Sequence, residues 1–318
     1  MRFAFTTEQR EFAAALRALL ANEFPASALR DVWDSGTGFS APLWEQLGDM
    51  GVLGAMMTEA DGGLGMRPID TVLLFIEMGR AAVPGPVIEH VAVAGPALSG
   101  TQYAAGIADG TTVVTSALEG SPYVAHAASA AFILGDIGVL SGYAVTPVDG
   151  IDGGRLLGVV SGGTVDDLVV DAVSARLRGS LAAAAYLVGI SEHMISIAAD
   201  YARVREQFGK PIGSFQAVKH LMSDALLKVE FAKPALFKAA WGLSVGDGTA
   251  ALDVSMAKAL ASEAAYRTSR NTMQVHGAIG YTWEADLQLY MKKAWALQRA
   301  WGDAPSHRRI VRQHVLGM

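Results

Sequence analysis

Apolar residues recur at three- and four-residue steps along most of this chain, and the two longest such stretches meet at a short polar corner. Over residues 177 to 203 the period is carried by Leu177, Leu181, Ala184, Leu187, Val188, Ser191, Ile195, Ala198 and Ala202, with no proline to interrupt it. Phe215, Val218, Leu221, Met222, Ala225, Val229, Ala232, Leu236 and Ala239 repeat it on the other side. The corner between them reads Arg205-Glu206-Gln207-Phe208-Gly209-Lys210-Pro211-Ile212-Gly213-Ser214-Phe215-Gln216. Gly209, Pro211 and Gly213 stop the first helix and turn the chain, and Ser214 is placed to cap the second. Beyond Gly246-Asp247-Gly248 a third helix, running to about Met273, buries Leu252, Val254, Met256, Ala259, Ala261 and Ala264. A last helical region from Ala285 to about Arg299 carries Leu287, Leu289, Tyr290, Ala294 and Leu297. Residues 174–318 are therefore expected to form an antiparallel four-helix bundle.

The N-terminal part, residues 1–109, is also expected to be all-helical. Thr6 or Thr7 followed by Glu8, Gln9 and Glu11 reads as a capped start, with Phe12, Leu16, Leu19 and Leu20 as the buried stripe. A second helix begins near Ser40, with Pro42 in its first turn and Trp44, Leu47 and Met50 on one side. Thr58-Glu59-Ala60-Asp61-Gly62-Gly63-Leu64-Gly65 is a loop, followed by a helix from about Pro68 to Gly79. Pro84-Gly85-Pro86 breaks the chain, and 87–106 resume a helical, small-residue pattern. Between these helical regions, residues 110–173 change character. Thr111–Ala117, Ala130–Leu134, Val139–Val145, Arg155–Val160 and Leu168–Val170 are short β-prone runs between glycine, proline and aspartate turns, which predicts a small β domain.

Composition narrows the chemistry. A chain of 318 residues with 51% apolar content can bury a substantial core. The net charge of -6 and the dispersed lysines and arginines disfavour nucleic acid as a partner. The absence of cysteine removes disulfides, iron–sulfur clusters and thiol nucleophiles, and the seven histidines (His90, His126, His193, His220, His276, His307 and His314) show no metal-ligand spacing. No G-x-G-x-x-G stands at a strand-to-helix junction, and there is no P-loop. Met1 to Glu8 lacks the apolar run of a signal peptide and no stretch reads as a membrane span, so a cytoplasmic location is expected.

The polar corner offers the first candidate site. Arg205 supplies a forked, permanent cation and Gln216 both a donor and an acceptor, which suits the pinning of a helical hairpin and could also hold a phosphate.

Paired with Gln274-Val275-His276-Gly277-Ala278-Ile279-Gly280-Tyr281-Thr282-Trp283-Glu284, the corner resembles the signature of flavin-dependent acyl-CoA dehydrogenases. Leu43-Trp44-Glu45-Gln46-Leu47, Gly51-Val52-Leu53, Gly62-Gly63-Leu64-Gly65 and Glu77-Met78-Gly79-Arg80 are similar to the same family, in order around the β domain. The resemblance implies an N-terminal helical domain, a central β domain and a C-terminal four-helix bundle, assembled as dimers or dimers of dimers. It implies FAD bound between subunits, with Arg205, Phe208 and Gln216 at its pyrophosphate and adenosine portions and Gln274, Gly277 and Gly280 along the dinucleotide path. The family reaction removes hydrogens from the α and β carbons of an acyl-CoA thioester, a carboxylate taking the α proton, with an electron-transfer flavoprotein as acceptor.

Two departures from the family pattern shape the expectation. Where the family has aromatic-x-x-Thr-Glu-Pro followed by Gly-Ser-Asp against the flavin ring, this chain has Val114-Thr115-Ser116-Ala117-Leu118-Glu119-Gly120-Ser121-Pro122, in a β domain several strands short. Where the family places its catalytic glutamate in Tyr-Glu-Gly, this chain has Arg299-Ala300-Trp301-Gly302-Asp303, and the second family location, Arg178-Gly179-Ser180, has no carboxylate. Asp303 is the nearest acid, with Glu284 and Glu192 as weaker candidates. The chain thus resembles the short subunit of heteromeric (alpha2beta2) actinobacterial steroid side-chain acyl-CoA dehydrogenases, contributing half of an intersubunit FAD site to a longer subunit. The competing expectations are a compact homomeric enzyme with Asp303 or a displaced glutamate as base, and a non-catalytic scaffold.

Overall fold

The computed structural model describes residues 4–317; Met1, Arg2, Phe3 and Met318, and with them the start of the signal-peptide reading, lie outside the described residues. Helix α1 (Thr7–Glu23) opens with a capping box: the Gln9 amide donates to Thr6 Oγ1 at 3.2 Å and the Thr6 amide to Gln9 Oε1 at 2.7 Å. Two residues after α1 the chain enters α2 (Ala26–Ser35), which the sequence pattern did not suggest because only Leu29 and Val32 of its ten residues are buried. Helix α3 (Ala41–Asp49) starts at Ser40 as expected. Helix α4 (Pro68–Arg80) follows the loop, whose Gly63 lies so close to Met57 and Gly54 carbonyls that a Cβ would collide with them. That loop is packed on itself.

The expected small-residue helix over 87–106 is shorter and differently wound. A π-helical segment, Ile88–Ala94, runs into α5 (Gly95–Leu98), after which the chain proceeds by turns. The β region consists of a four-stranded sheet, β1 (Val114–Ser116), β3 (Phe132–Gly135), β4 (Gly138–Ser141) and β7 (Thr164–Asp166), and a three-stranded sheet, β2 (Val124–Ala125), β6 (Leu157–Ser161) and β5 (Ala144–Val148). Leu168–Val170, expected as a strand, is an extended approach to the bundle, and Thr164–Asp166 pairs instead, Val139 facing Asp166.

Four helices form the rest of the frame: α6 (Ala172–Val204), α7 (Gln216–Val245), α8 (Ala250–His276) and α9 (Leu287–Leu297). The fourth helical region does not stop there, because α10 (Ala304–Leu316) follows a turn at Trp301-Gly302 and packs on α8. Between α6 and α7 stands a two-residue-turn hairpin, β8 (Glu206–Gln207) with β9 (Lys210–Pro211). Among the described residues α6 is the one helix long and apolar enough to cross a membrane, and 72% of its most apolar window is buried within the chain.

Helix α6 is the central element, with Leu181 to Ser191 buried without a break. It meets α4 backbone to backbone. A Cβ on Gly79 would stand 2.2 Å from the Tyr186 carbonyl oxygen, and one on Gly189 would stand 1.8 Å from that of Ile76. Only glycine permits this approach. Gly189→Ala should therefore destabilise the chain by about 1–3 kcal/mol in a denaturant titration, while Gly248→Ala, whose Cβ meets nothing within 4 Å, should be close to neutral. Equal midpoints for the two variants would contradict the assignment of this contact.

Candidate functional site

The corner is built by backbone geometry first. Phe208 and Gly209 take positive φ values of 56° and 78°, the pairing that a tight two-residue hairpin turn requires. For phenylalanine this conformation costs roughly 1–2 kcal/mol, and it leaves the ring 93% exposed at the tip. Behind the tip, Phe208 meets Phe215 edge-on at 6.1 Å, and the Lys210 ammonium lies 4.6 Å from the Phe215 ring centre.

An apolar cluster beneath the hairpin joins it to the end of α8: Ala198 and Ala202 of α6, Ile212, Val218, Leu221 and Met222 of the α7 side, and Val275 of α8. Asn271 Nδ2 donates to the Leu221 carbonyl at 2.7 Å, and Tyr201 stacks on His276 at 4.4 Å and 13°. These contacts bring the two sequence motifs together. Arg205 is the C-cap of α6, Gln216 the first residue of α7, Gln274 lies in the last turn of α8, Gly277 ends that helix at φ 65°, and Gly280 is buried in the following 3-10 turn. The side chains of Arg205, Gln216 and Gln274 are exposed and make no hydrogen bond or ion pair among the described residues. A Cβ on Gly277 would meet nothing within 4 Å, so the surface in front of it is open.

Ser214 does not cap α7. Its hydroxyl donates back to the Pro211 carbonyl at 2.7 Å, the N-cap position belongs to Phe215, and the helix starts with no side-chain cap. A 30-residue helix thus presents its uncapped, positive end beside Arg205 and Gln216. The donor set fits a dinucleotide's phosphates and leaves an aromatic and open glycines for its adenosine part.

The other candidate centre is closed. Trp301, 3% exposed with φ 57°, lays its indole against Gly179 so closely that a Cβ there would lie 2.5 Å from the ring. Both places where a catalytic carboxylate was sought are thereby filled by one contact. The turn is held from three sides: Ser180 Oγ donates to the Trp301 carbonyl at 3.2 Å, His307 Nε2 to the same oxygen at 2.8 Å, and the fully buried Lys258 to the Gly302 carbonyl at 2.8 Å. Asp303 caps α10, accepting from the Ser306 amide at 2.9 Å, and its hydrogen bonds with Ser306 hold its carboxyl below the usual range. Glu192 is ion-paired with Arg80 and Lys233, and Glu284 is exposed. The cleft lined by Met56, Thr71, Phe75, Arg178 and Leu181 retains only about 10 Å³. A groove of about 700 Å³ beside Phe5, Phe237 and Trp241 is lined by none of the candidate residues.

Sequence profiles identify what this architecture is. The acyl-CoA dehydrogenase N-terminal domain matches residues 6–102 and the acyl-CoA dehydrogenase C-terminal domain matches residues 173–316. The chain belongs to the acyl-CoA dehydrogenase family. Acyl-CoA dehydrogenase IpdE2 of Mycobacterium tuberculosis (strain ATCC 25618 / H37Rv) is 28% identical over 296 residues, 90% of this chain and 91% of the relative. Acyl-CoA dehydrogenase FadE34 of the same strain is 33% identical over 280 residues, 80% of this chain but 39% of the relative. A chain in the crystal structure of the ChsE4-ChsE5 complex from Mycobacterium tuberculosis superposes with a TM-score of 0.89 at 25% identity, over 99% of both chains. The Tcur3481-Tcur3483 steroid ACAD G363A variant gives 0.86 at 23%, over 98% of both, which speaks for the fold.

Pattern reading passed over Lys258, although it stands four residues after Val254 and three before Ala261 on the buried stripe of α8. Burial pushes its pKa down to about 7. With the unfolded value near 10.4, the unfolded chain binds more protons between these limits, so this lysine makes stability rise with pH from about 7 to 10. Lys258→Met should flatten that rise in denaturant titrations across the pH range, and an unchanged slope would contradict the shift. Asp303→Ala should cost about 1 kcal/mol through the lost cap, whereas Asp303→Asn, which can still cap, should leave stability nearly unchanged.

Proposed function

We infer that this chain is the shorter, cofactor-sharing subunit of a heteromeric acyl-CoA dehydrogenase. The observation that carries the reading is an asymmetry. The corner keeps the side chains of Arg205, Gln216 and Gln274 free, Phe208 exposed and the surface at Gly277 open, with Gly280 buried, while the chain's own catalytic positions are filled by Trp301 on Gly179. A half-site facing outward needs another chain to complete it.

In this reading Arg205 and the uncapped start of α7 hold the pyrophosphate of FAD, Phe208 packs against its adenosine part, and Gln274, Gly277 and Gly280 line the dinucleotide path. When bound, FAD accepts the hydride from the β carbon of the acyl-CoA thioester. A longer acyl-CoA dehydrogenase subunit contributes the ring cradle, the carboxylate that takes the α proton and most of the thioester pocket. This chain's part is to bind and orient the cofactor from across the interface. Electrons pass on to an electron-transfer flavoprotein, and the location is cytoplasmic. Steroid side-chain CoA esters are the substrate class we propose, from the resemblance of the chain to the short subunits of heteromeric steroid side-chain acyl-CoA dehydrogenases. The homomeric alternative rests on Asp303, whose carboxylate is engaged as a helix cap.

Co-expression with a longer acyl-CoA dehydrogenase subunit should give a complex holding one FAD per pair of unlike chains, read from flavin absorbance. Arg205→Ala should weaken FAD retention at least tenfold while the assembly, followed by sedimentation, persists. Stoichiometric FAD and full activity in an oligomer of this chain alone would overturn the heteromeric reading. A complex that never shows flavin absorbance would favour a scaffold.

A further inference from the structure

The degenerate segment of the β domain is turned inward. Glu119 pairs with Arg155 at 2.5 Å, and the same guanidinium reaches Glu89, on the π-helical segment of the N-terminal region, at 3.1 Å. A few residues away Asp152 lies 3.4 Å from Lys293 of α9, whose ammonium also donates to the Gly154 carbonyl at 3.3 Å. Glu89, Asp152, Arg155 and Lys293 are each at most 8% exposed. His126, 1% exposed and in the left-handed conformation, stands in the field of both cations with neither ring nitrogen bonded. The N-terminal helices, the β domain and the bundle thus each contribute charges to one buried cluster.

Such a cluster has a clear directional consequence. Each ion is costly to bury alone, and its cost is offset only when the other regions are docked in register. A β domain of seven short strands has little core of its own: Val124, Ala127 and Ile133 are the buried members of its separate apolar cluster. Its docking therefore leans on contacts with the helices.

We propose that this three-way ion cluster, with Glu119 drawn from the segment that would otherwise face a flavin ring, locks the β domain onto the helices without any cofactor. The β domain is then in place before FAD or the longer subunit arrives. The proposal rests on the half-site reading only for which cofactor is shared. Burial raises the Glu89 pKa, and the Arg155 guanidinium beside it opposes that rise.

The test uses the full chain, flavin-free, followed by calorimetry and limited proteolysis. The wild type should unfold in one transition, resist cleavage within residues 110–173, and be unmoved by added FAD. Arg155→Met, which leaves Glu89 and Glu119 without their cation, should be cleaved in that span at least tenfold faster. Arg267→Met, which removes the exposed pair with Asp224 within the bundle, should behave as the wild type. If Arg155→Met does not accumulate, the wild-type measurements alone decide. A separate β-domain transition, or protection that appears only on adding FAD, overturns the proposal, as does an Arg155→Met chain cleaved at the wild-type rate. None of these readouts depends on the heteromeric complex binding FAD, so failure of the lock and failure of the half-site reading remain distinguishable.

Discussion

The backbone contact between α4 and α6 at Gly79 and Gly189 fixes the rest of the molecule. With no side chains between them at these points, the two helices cannot slide or rotate without a collision, so α6 is held along its buried length. Each end of α6 then has a defined place. Its C-terminus delivers Arg205 and the hairpin to the surface, and its first turns deliver Gly179 to the indole of Trp301. One rigid rod links the open corner to the closed centre.

The closed centre is overdetermined. Tryptophan at positive φ is uncommon, and here it persists because a serine, a histidine and a buried lysine all donate to the turn's carbonyls. At the β-domain junction, charges from three regions pair with one another. At the corner the opposite holds. The Phe208 ring stands 93% exposed at the hairpin tip, and the side chains of Arg205, Gln216 and Gln274 are unengaged among the described residues.

Much of this was legible along the chain. The long helices and the corner follow from apolar period and glycine placement, which are local properties, and the fold class followed from motif order. What failed was also local in cause. Helix α2 buries too few residues to show a stripe, and the π-helical segment has no period of its own to read. Ser214 had the chemistry of a cap, yet a hydroxyl beside a turn has competing acceptors, and the Pro211 carbonyl won. Asp303 was the acid nearest the missing base, and only the start of α10 gave its carboxylate a visible partner.

By itself the sequence determined the long helical segments, the turns between them, and that a cation, an aromatic and two amides flank those turns, since each depends on neighbours within a few residues. It also showed tryptophan where the family carries its carboxylate. Only the tertiary structure decided what these residues meet. Trp301 and Gly179 are far apart in sequence, as are Glu89 and Arg155, or Asp152 and Lys293. Whether a polar side chain ends up free at a surface or consumed in the interior depends on contacts across the fold, and no local pattern encodes them.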